Sequence, residues 1–345
     1  MSDKTVNTVE CSGKLAPPLA RPLKIVIPGG QGHLGRLLAR RFNSLGHEVL
    51  CLTRKLEESP AGTLSPWRSL AWDGENLGSW VEALEDADVL INLSGRSVDC
   101  RYNARNREAI LQSRVRSTAV LGRAIQHMSR PPRLWLNAST ATIYRHTYDR
   151  AMGEATGEIG GGEDNAPPTW RFSIDVAQRW EQTLFAVHTP NTRKVAMRAA
   201  MVMSATPGGV FEVLVRLVST GLGGSWGCGR QYMSWIHEED FFRAVEYLIE
   251  DQQITGAVNL AAPHPLPNEE FLSALRDAWG ISFGLPAREW MLAVGAYFLR
   301  TETELLLKSR RVVPDLLLKK GFEFCYPEWP TAARALVQKW REGHS

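Results

Sequence analysis

The chain has 345 residues, enough to bury a sizeable core and long for one domain, so a nucleotide-sized domain with a smaller companion is expected. Its formal net charge is only +3, with acidic and basic side chains interspersed, which excludes the basic stripe of a nucleic-acid binder. Five cysteines, Cys11, Cys51, Cys100, Cys228 and Cys325, are scattered without a C-x-x-C pair, so structural thiols in a reducing cytoplasm and no metal site are expected.

Residues 1–22 contain Asp3 and Glu10 and no apolar run of signal-peptide type, and they read as a disordered tail. Leu23, Ile25, Val26 and Ile27 then form a short apolar strand. Pro28-Gly29-Gly30-Gln31-Gly32-His33-Leu34-Gly35 follows as a glycine turn opening a helix over 34–45. The spacing of Gly29, Gly32 and Gly35 is G-x-x-G-x-x-G. Glycine at the first positions permits positive φ and close approach of the backbone to a pyrophosphate, and the third lets helix and strand pack tightly. Free N–H groups at the helix start would face the phosphates with a partial positive charge. Gly46-His47 closes the helix, and 48–53 supplies a second strand. Framed this way, the turn points to a dinucleotide.

Where the second strand ends, a cofactor without a 2′-phosphate would meet Asp or Glu on its ribose hydroxyls. Here the chain reads Thr53-Arg54-Lys55, which favours NADP over NAD. Arg54 would pair its guanidinium with the phosphate through two hydrogen bonds, with Lys55 as a supporting charge; solvated loop positions are the alternative.

Further along, strand and helix signals alternate. Leu70-Ala71-Trp72 ends at Asp73-Gly74, 77–84 reads as a helix, and 87–93 is a buried strand. A helix over 103–128 is stopped by Pro131-Pro132, and 133–138 is a strand running into Ser139-Thr140. Another helix is expected around 174–187, then a sixth strand from Lys194 to Arg198. This is the rhythm of an α/β, Rossmann-like, doubly wound parallel sheet. The apolar stretch 290–299 is too short to span a bilayer, so no membrane partner is expected.

The chain resembles the extended and atypical short-chain dehydrogenase/reductases, specifically the nicotinamide-binding epimerase-like proteins with their own C-terminal domain. The resemblance covers nearly all of the chain from Leu23. It rests on the glycine turn, Asn92-Leu93-Ser94-Gly95, Cys100-Arg101-Tyr102-Asn103 with Ser113-Arg114, Gly221-Leu222-Gly223-Gly224, and the run from Gly229 to His237 with Asp240. Asn259-Leu260-Ala261-Ala262-Pro263 and Arg311-Val312-Val313-Pro314, with Gly321-Phe322, complete it. Members are named as NADP-dependent epimerases or oxidoreductases, some as cell-division proteins.

The resemblance implies that Gly29, Gly32, His33, Leu34 and Gly35 cradle the pyrophosphate and that Thr53 and Arg54 meet the adenosine ribose. Asp73 would reach the adenine edge, Asn92, Leu93, Ser94 and Gly95 would line the cofactor, and Arg198 joins the cofactor residues. The superfamily's chemistry uses a Ser or Thr hydroxyl and a Tyr whose pKa is lowered by a Lys four residues later. Thr140 aligns best with the hydroxyl and Ser139 is the reserve; both also read as ordinary strand-end hydroxyls. At the positions of Tyr and Lys, aligned through Trp180-Glu181, the chain has Ser173 and Ala177, and no Y-x-x-x-K occurs elsewhere. A relay rebuilt from Tyr144, Asp175 or His237 is one expectation, against packing, a solvated helix face and a structural hydrogen bond for the three.

Beyond Met201, 210–218 reads as a helix walling a cleft and 221–229 as a flexible lid. Gln231, Trp235 and His237 are expected to line a small-molecule pocket, against a structural strand with a buried Trp. Arg96 and Arg101 would draw in an anionic substrate or form a solvated basic loop. Helices over 268–279, 288–307 and 331–340 make the smaller domain, with Trp329 and Trp340 as core anchors. The resulting division is a tail over 1–22, an NADP-binding domain over 23–205, and a substrate-side, mostly helical domain over 206–345, with nucleotide-domain segments interleaved around 230–262. An NADP-dependent oxidoreductase or epimerase for a small carbonyl or sugar-like substrate is the leading function, as a monomer or homodimer. A cofactor-binding sensor that has lost catalysis is the alternative, and a partner-binding protein without cofactor the third.

Overall fold

A computed structural model of the chain describes residues 21–56, 66–163, 167–288, 291 and 304–344. Residues 1–20 of the expected tail over 1–22 and most of the expected helix over 288–307 lie outside the described residues. Seven strands form one parallel sheet in the order β10-β6-β5-β4-β1-β2-β3. They are β1 (Lys24–Pro28), β2 (Glu48–Thr53), β3 (Arg68–Ala71), β4 (Val89–Asn92), β5 (Leu134–Thr140), β6 (Arg193–Ala199) and β10 (Gly256–Leu260). Strand order reverses between β1 and β4. A doubly wound sheet opens a crevice there, outside the carboxyl ends of the strands.

Strand alternation divides the core in two. Ile25, Ile27, Val49, Val89, Ile91 and Leu136 face α1 (His33–Ser44) and α5 (Glu238–Glu250), meeting Leu38, Phe42, Phe241 and Val245. Val26, Leu50, Leu52, Leu90 and Trp135 face the other way, toward Val120 and Leu121 of α2 (Ala104–Gln126) and Leu184 of α3 (Pro168–Ala186). Strands buried on both faces read as continuous apolar runs. Helix α1 buries Gly35, Leu38, Ala39 and Phe42, a stripe at helical spacing.

Boundary differences have local causes. Helix α2 starts where the Asn103 side chain accepts the Asn106 N–H at 2.9 Å. Helix α3 begins at Pro168, ahead of the expected start near 174, because proline is pre-set for a first helical turn. The expected helix over 77–84 is a 3-10 turn, Ser79–Leu84, tethered by the Trp80 indole donating to the Asn76 carbonyl at 3.1 Å.

A separate core lies beyond the sheet. It joins Phe211, Leu214 and Val218 of α4 (Val210–Ser219), Phe271 and Leu275 of α6 (Asn268–Trp279), and Trp329, Leu336 and Trp340 of the last helix, Trp329–Glu342. Trp329 is stacked on Phe271 at 4.0 Å and 8°, a core anchor as its sequence context suggests. Trp235 belongs to this core as well. It lies on β9 (Trp235–His237), which pairs in parallel with β7 (Met201–Met203), while β8 (Tyr232–Met233) pairs with β11 (Leu266–Pro267).

The cysteine expectation needs one correction. Cys51, Cys100 and Cys228 are free thiols, but Cys325 is disulfide-bonded. Scattered spacing carries no information about pairing across the fold. Among the described residues no helix is long and apolar enough to cross a membrane, and no cluster of His, Cys, Asp and Glu has the makings of a metal site.

Candidate functional site

At the crevice, backbone meets backbone. Gly29 has φ +79°, and a Cβ on it would stand 2.8 Å from the Leu93 carbonyl group at the end of β4. On Gly35 a Cβ would come within 2.5 Å of the Gly29 carbonyl, and on Gly30 within 2.3 Å of the Cys51 sulfur. Gly32 differs from expectation. Its φ is −67°, and an added Cβ would meet only the Gly29 carbonyl, at 3.3 Å. It therefore does not need glycine for its own conformation, whereas Gly30, which the spacing argument passed over, does need it for space.

Gly32 also caps α1 without a side-chain hydrogen bond, and the first turn carries no acidic residue. The N–H groups of that turn thus have no side-chain cap, the form of helix end that suits an anion. His33 turns away from them: its ring is hydrogen-bonded to the Pro207 carbonyl, and burial lowers its pKa against that bond. A Cβ on Gly209 would touch the ring at 2.7 Å, so His33 clasps the 207–209 turn. Leu34 is half-buried against the main core.

The other cofactor-side candidates surround this turn. Arg54 is exposed directly after β2, while Thr53 is buried and exchanges hydrogen bonds with the backbone of Lys55. The Asp73 carboxylate accepts the N–H groups of Asn76 and Glu75 and the Asn76 side chain, which hold its pKa down to about 2. Its local task is to cap a turn. Asn92 donates to Asn137 at 2.7 Å and accepts the Ser94 N–H at 3.1 Å. The Ser94 hydroxyl is buried at the mouth of the crevice without a hydrogen-bond partner among the described residues. Gly95 lies under the Arg114 guanidinium, where a Cβ would stand 3.1 Å away.

The catalytic candidates separate by their partners. Ser139 donates to Glu181 at 2.5 Å. Glu181 also holds Arg198 through two hydrogen bonds, at 2.8 and 2.7 Å, and Arg198 donates to the Tyr144 hydroxyl at 2.9 Å. Tyr144 in turn donates to Asn259 at 2.9 Å. Burial pushes the Tyr144 phenol up despite Arg198, and it opposes the Arg198 charge, but Glu181 outweighs it and raises Arg198. Ser139, Tyr144 and Arg198 therefore form one buried network joining β5, β6, α3 and β10. Thr140 stands apart, half-buried, its hydroxyl accepting the Thr142 N–H at 3.1 Å and keeping its own hydrogen to donate.

The pocket expectation at 231–237 is corrected. Gln231 donates to the Trp226 carbonyl at 2.8 Å, and Trp235 is fully buried against Trp329. His237 caps α5 by accepting the Glu239 N–H at 3.1 Å and lies on the Tyr326 ring at 3.8 Å. All three are buried, Trp235 under Trp329 of the last helix and His237 under the Tyr326 ring that precedes it. Asp175 pairs with Arg179 on the exposed face of α3, as a solvated helix position does. A hollow lined by Tyr148, Arg230, Tyr232 and Glu269 contains none of the glycine-turn residues.

Sequence reading passed over a second polar cluster. Ser173, at the family's Tyr position, donates to Glu304, and Tyr102 is hydrogen-bonded to Ser173. Lys308 donates to the Thr142 carbonyl at 2.8 Å. The expected undivided helix over 288–307 takes in Glu304 and stops just short of Lys308, so it marks neither.

A glycine cradle at a switch point, with an open helix end, defines a doubly wound fold of the dinucleotide-binding class. The chain belongs to the NAD dependent epimerase/dehydratase family, whose model matches residues 25–261. Residues 289–336 match a domain of unknown function, DUF1731. The human protein named epimerase family protein SDR39U1 is 27% identical over 320 residues, covering 91% of this chain and all of that one. An epimerase family protein of Mycobacterium tuberculosis is 31% identical over 301 residues, covering 87% of this chain and 93% of its own. The crystal structure of human SDR39U1 isoform 2 with NADPH superimposes with a TM-score of 0.78 at 25% identity, covering 92% of this chain and 99% of that one. A nucleoside-diphosphate sugar epimerase from Corynebacterium glutamicum gives 0.70 at 27% identity, covering 92% and 58%.

Glu181→Ala should lower unfolding free energy in urea by about 3–5 kcal/mol, because Arg198 is left charged and buried. A loss below about 1 kcal/mol would show the network to be incidental. Burial lowers the His237 pKa from its ordinary 6.5 to about 4, so the unfolded chain binds the extra proton between those values. Stability from this group is complete above the upper value and drains away as pH falls toward the lower. His237→Asn, which keeps an acceptor for the helix cap, should remove up to about 3 kcal/mol of that dependence, read as the change with pH of the difference between the two proteins.

Proposed function

We propose that this protein is an NADP-dependent oxidoreductase or epimerase of the atypical short-chain dehydrogenase/reductase type, acting on a small carbonyl or sugar-like substrate with a proton relay other than Tyr-x-x-x-Lys. The observation that carries the reading is the side-chain-free cradle at Gly29, Gly30 and Gly35 beside an uncapped helix start, in a chain whose human relative was solved with NADPH. The Ser94 hydroxyl, without a hydrogen-bond partner among the described residues, supports it, since a ligand can satisfy a buried polar atom at a crevice mouth.

The amides at the start of α1 would hold the pyrophosphate and Gly32 would let it approach. Arg54, exposed where β2 ends, would take the 2′-phosphate, with Thr53 at the ribose and Asp73 toward the adenine edge. Asn92, Leu93, Ser94 and Gly95 would line the nicotinamide side. Bound there, NADPH supplies a hydride from its nicotinamide ring. Thr140 is the hydroxyl that would hold the substrate oxygen, because its hydrogen remains available while that of Ser139 is committed to Glu181. Ser139, Tyr144 and Arg198 act through structure, as the buried frame beneath that hydroxyl.

A second reading is a cofactor-binding sensor without turnover, favoured by Ser173 and Ala177 in place of Tyr and Lys. Titrating the protein with NADPH and then offering a panel of aldehydes, ketones and nucleotide sugars separates the two. Tight binding without hydride transfer to any compound supports the sensor, and no binding removes both.

Arg54→Ala should weaken NADPH by at least about 30-fold and NADH by under about threefold, since only the former loses a charge-assisted pair. Equal loss for both refutes the 2′-phosphate assignment. Thr140→Val should reduce turnover by about 100-fold or more while cofactor affinity holds. Unchanged turnover would move the substrate contact away from β5.

A further inference from the structure

The region Glu304 to Val313 comes from the far end of the chain, yet it threads through the nucleotide domain. The Ser309 hydroxyl donates to the Thr147 carbonyl, and the Ser309 N–H donates to the His146 ring at 2.9 Å. Arg310 N–H donates to the Tyr232 carbonyl at 2.8 Å, and Val312 N–H to the Ser234 hydroxyl at 2.8 Å. The thread thus delivers its side chains to a fixed place.

That place is the end of β5. Lys308 Nζ lies 2.8 Å from the Thr142 carbonyl, and Arg310 Nε lies 3.2 Å from the Thr142 hydroxyl, both next to the turn that Thr140 caps. Glu304 accepts the Ser173 hydroxyl at 2.5 Å, and its other oxygen lies 4.0 Å from Lys308 Nζ. Ser173 is the residue standing where the family carries its tyrosine. Both Glu304 and Lys308 are fully buried, an expense of desolvation that a packing role alone would not require.

We propose that Glu304 and Lys308 are the proton-holding pair of this site, replacing in space the Tyr and Lys that α3 lacks, with Ser173 as the hydroxyl that joins them to the substrate. The proposal rests on the reading of the protein as an NADP-dependent enzyme. In the reducing direction the carbonyl carbon receives the hydride pair and the carbonyl π pair moves to oxygen. That oxygen takes the Ser173 proton as Ser173 takes one from the Glu304 carboxylic acid. The products are the alcohol, oxidised cofactor and a Glu304 carboxylate beside the Lys308 ammonium; oxidation runs the same transfers backward. Lys308 does the work of the missing lysine by favouring the charged form of its neighbour.

Lys308 also faces Arg310, Glu163 and His146, and burial brings its pKa down to about 8, with Arg310 lowering and Glu304 and Glu163 raising it. A lysine poised there exchanges its charge within the working range of an enzyme.

The test uses the full chain. With the best-reduced compound of the carbonyl panel, Glu304→Gln and Lys308→Met should each lower kcat by about 100-fold or more, with KM and NADPH affinity within about threefold. Lys308→Arg should restore about tenfold of the Lys308→Met loss. A Glu304→Gln kcat within about threefold of the parent overturns the proposal while leaving the function standing. Should no compound be reduced, the ε-carbon resonance of Lys308 in lysine-labelled protein, identified by its loss in Lys308→Arg, gives a second reading. Its titration midpoint should differ by roughly half a unit or more between the NADP⁺ and NADPH complexes, since the nicotinamide ring carries a unit charge in one only. An identical midpoint in both overturns the proposal, and absence of NADPH binding overturns it together with the function.

Discussion

The structure depends on three strands of backbone lying closer together than side chains allow. The Gly29 carbon sits against the end of β4, Gly35 against Gly29, and Gly30 against Cys51 of β2, so β1, β2, β4 and α1 meet at one point. This is where the strand order reverses. Close packing here does two jobs at once: it closes the sheet's central junction, and it leaves the amides of α1 without side chains in front of them. A methyl group at any of these positions would act on the fold before it acted on a ligand. Gly32 is the least crowded of the turn, since a methyl group there would meet only the Gly29 carbonyl, at 3.3 Å.

Around that junction, polar groups are shared between two buried assemblies with different characters. The first, Ser139, Glu181, Arg198, Tyr144 and Asn259, is a chain of mutual partners in which an ion pair is matched by two parallel hydrogen bonds. Such a group fixes the relation of β5, β6 and β10. The second, Tyr102, Ser173, Glu304 and Lys308, is drawn from three remote stretches of sequence and has a looser ion pair. Rigidity in the first gives Thr140 a firm base. Looseness in the second suits groups that exchange protons.

The central sheet was legible because buried parallel strands announce themselves as apolar runs. The run 87–93 and strand β4, or the run 48–53 and strand β2, differ by little or nothing. The glycine turn was legible for the same reason of local chemistry. Roles that depend on who stands opposite were not. Ser139 and Thr140 are adjacent and chemically alike, and only the position of Glu181 tells them apart. Gln231, Trp235 and His237 look like a mixed polar and aromatic pocket in one dimension, yet all three are buried, Trp235 under Trp329 and His237 under Tyr326. Glu304 and Lys308 have helical spacing and ordinary composition, so nothing in their neighbourhood hints that they reach Ser173 and Thr142. Cys325 gives a similar lesson, because cross-linking is a property of proximity and spacing is silent about it.

The threading of Glu304 to Val313 through the nucleotide domain bears on how such a protein can be inherited. Hydrogen bonds from this stretch reach Thr142, His146, Thr147, Tyr232 and Ser234, and Val312 bridges to Met152. Neither portion is a module that recombination could swap for an unrelated one, since a borrowed terminus would arrive without the groups its host is shaped to receive. Descent should therefore keep the two together, each constraining drift in the other.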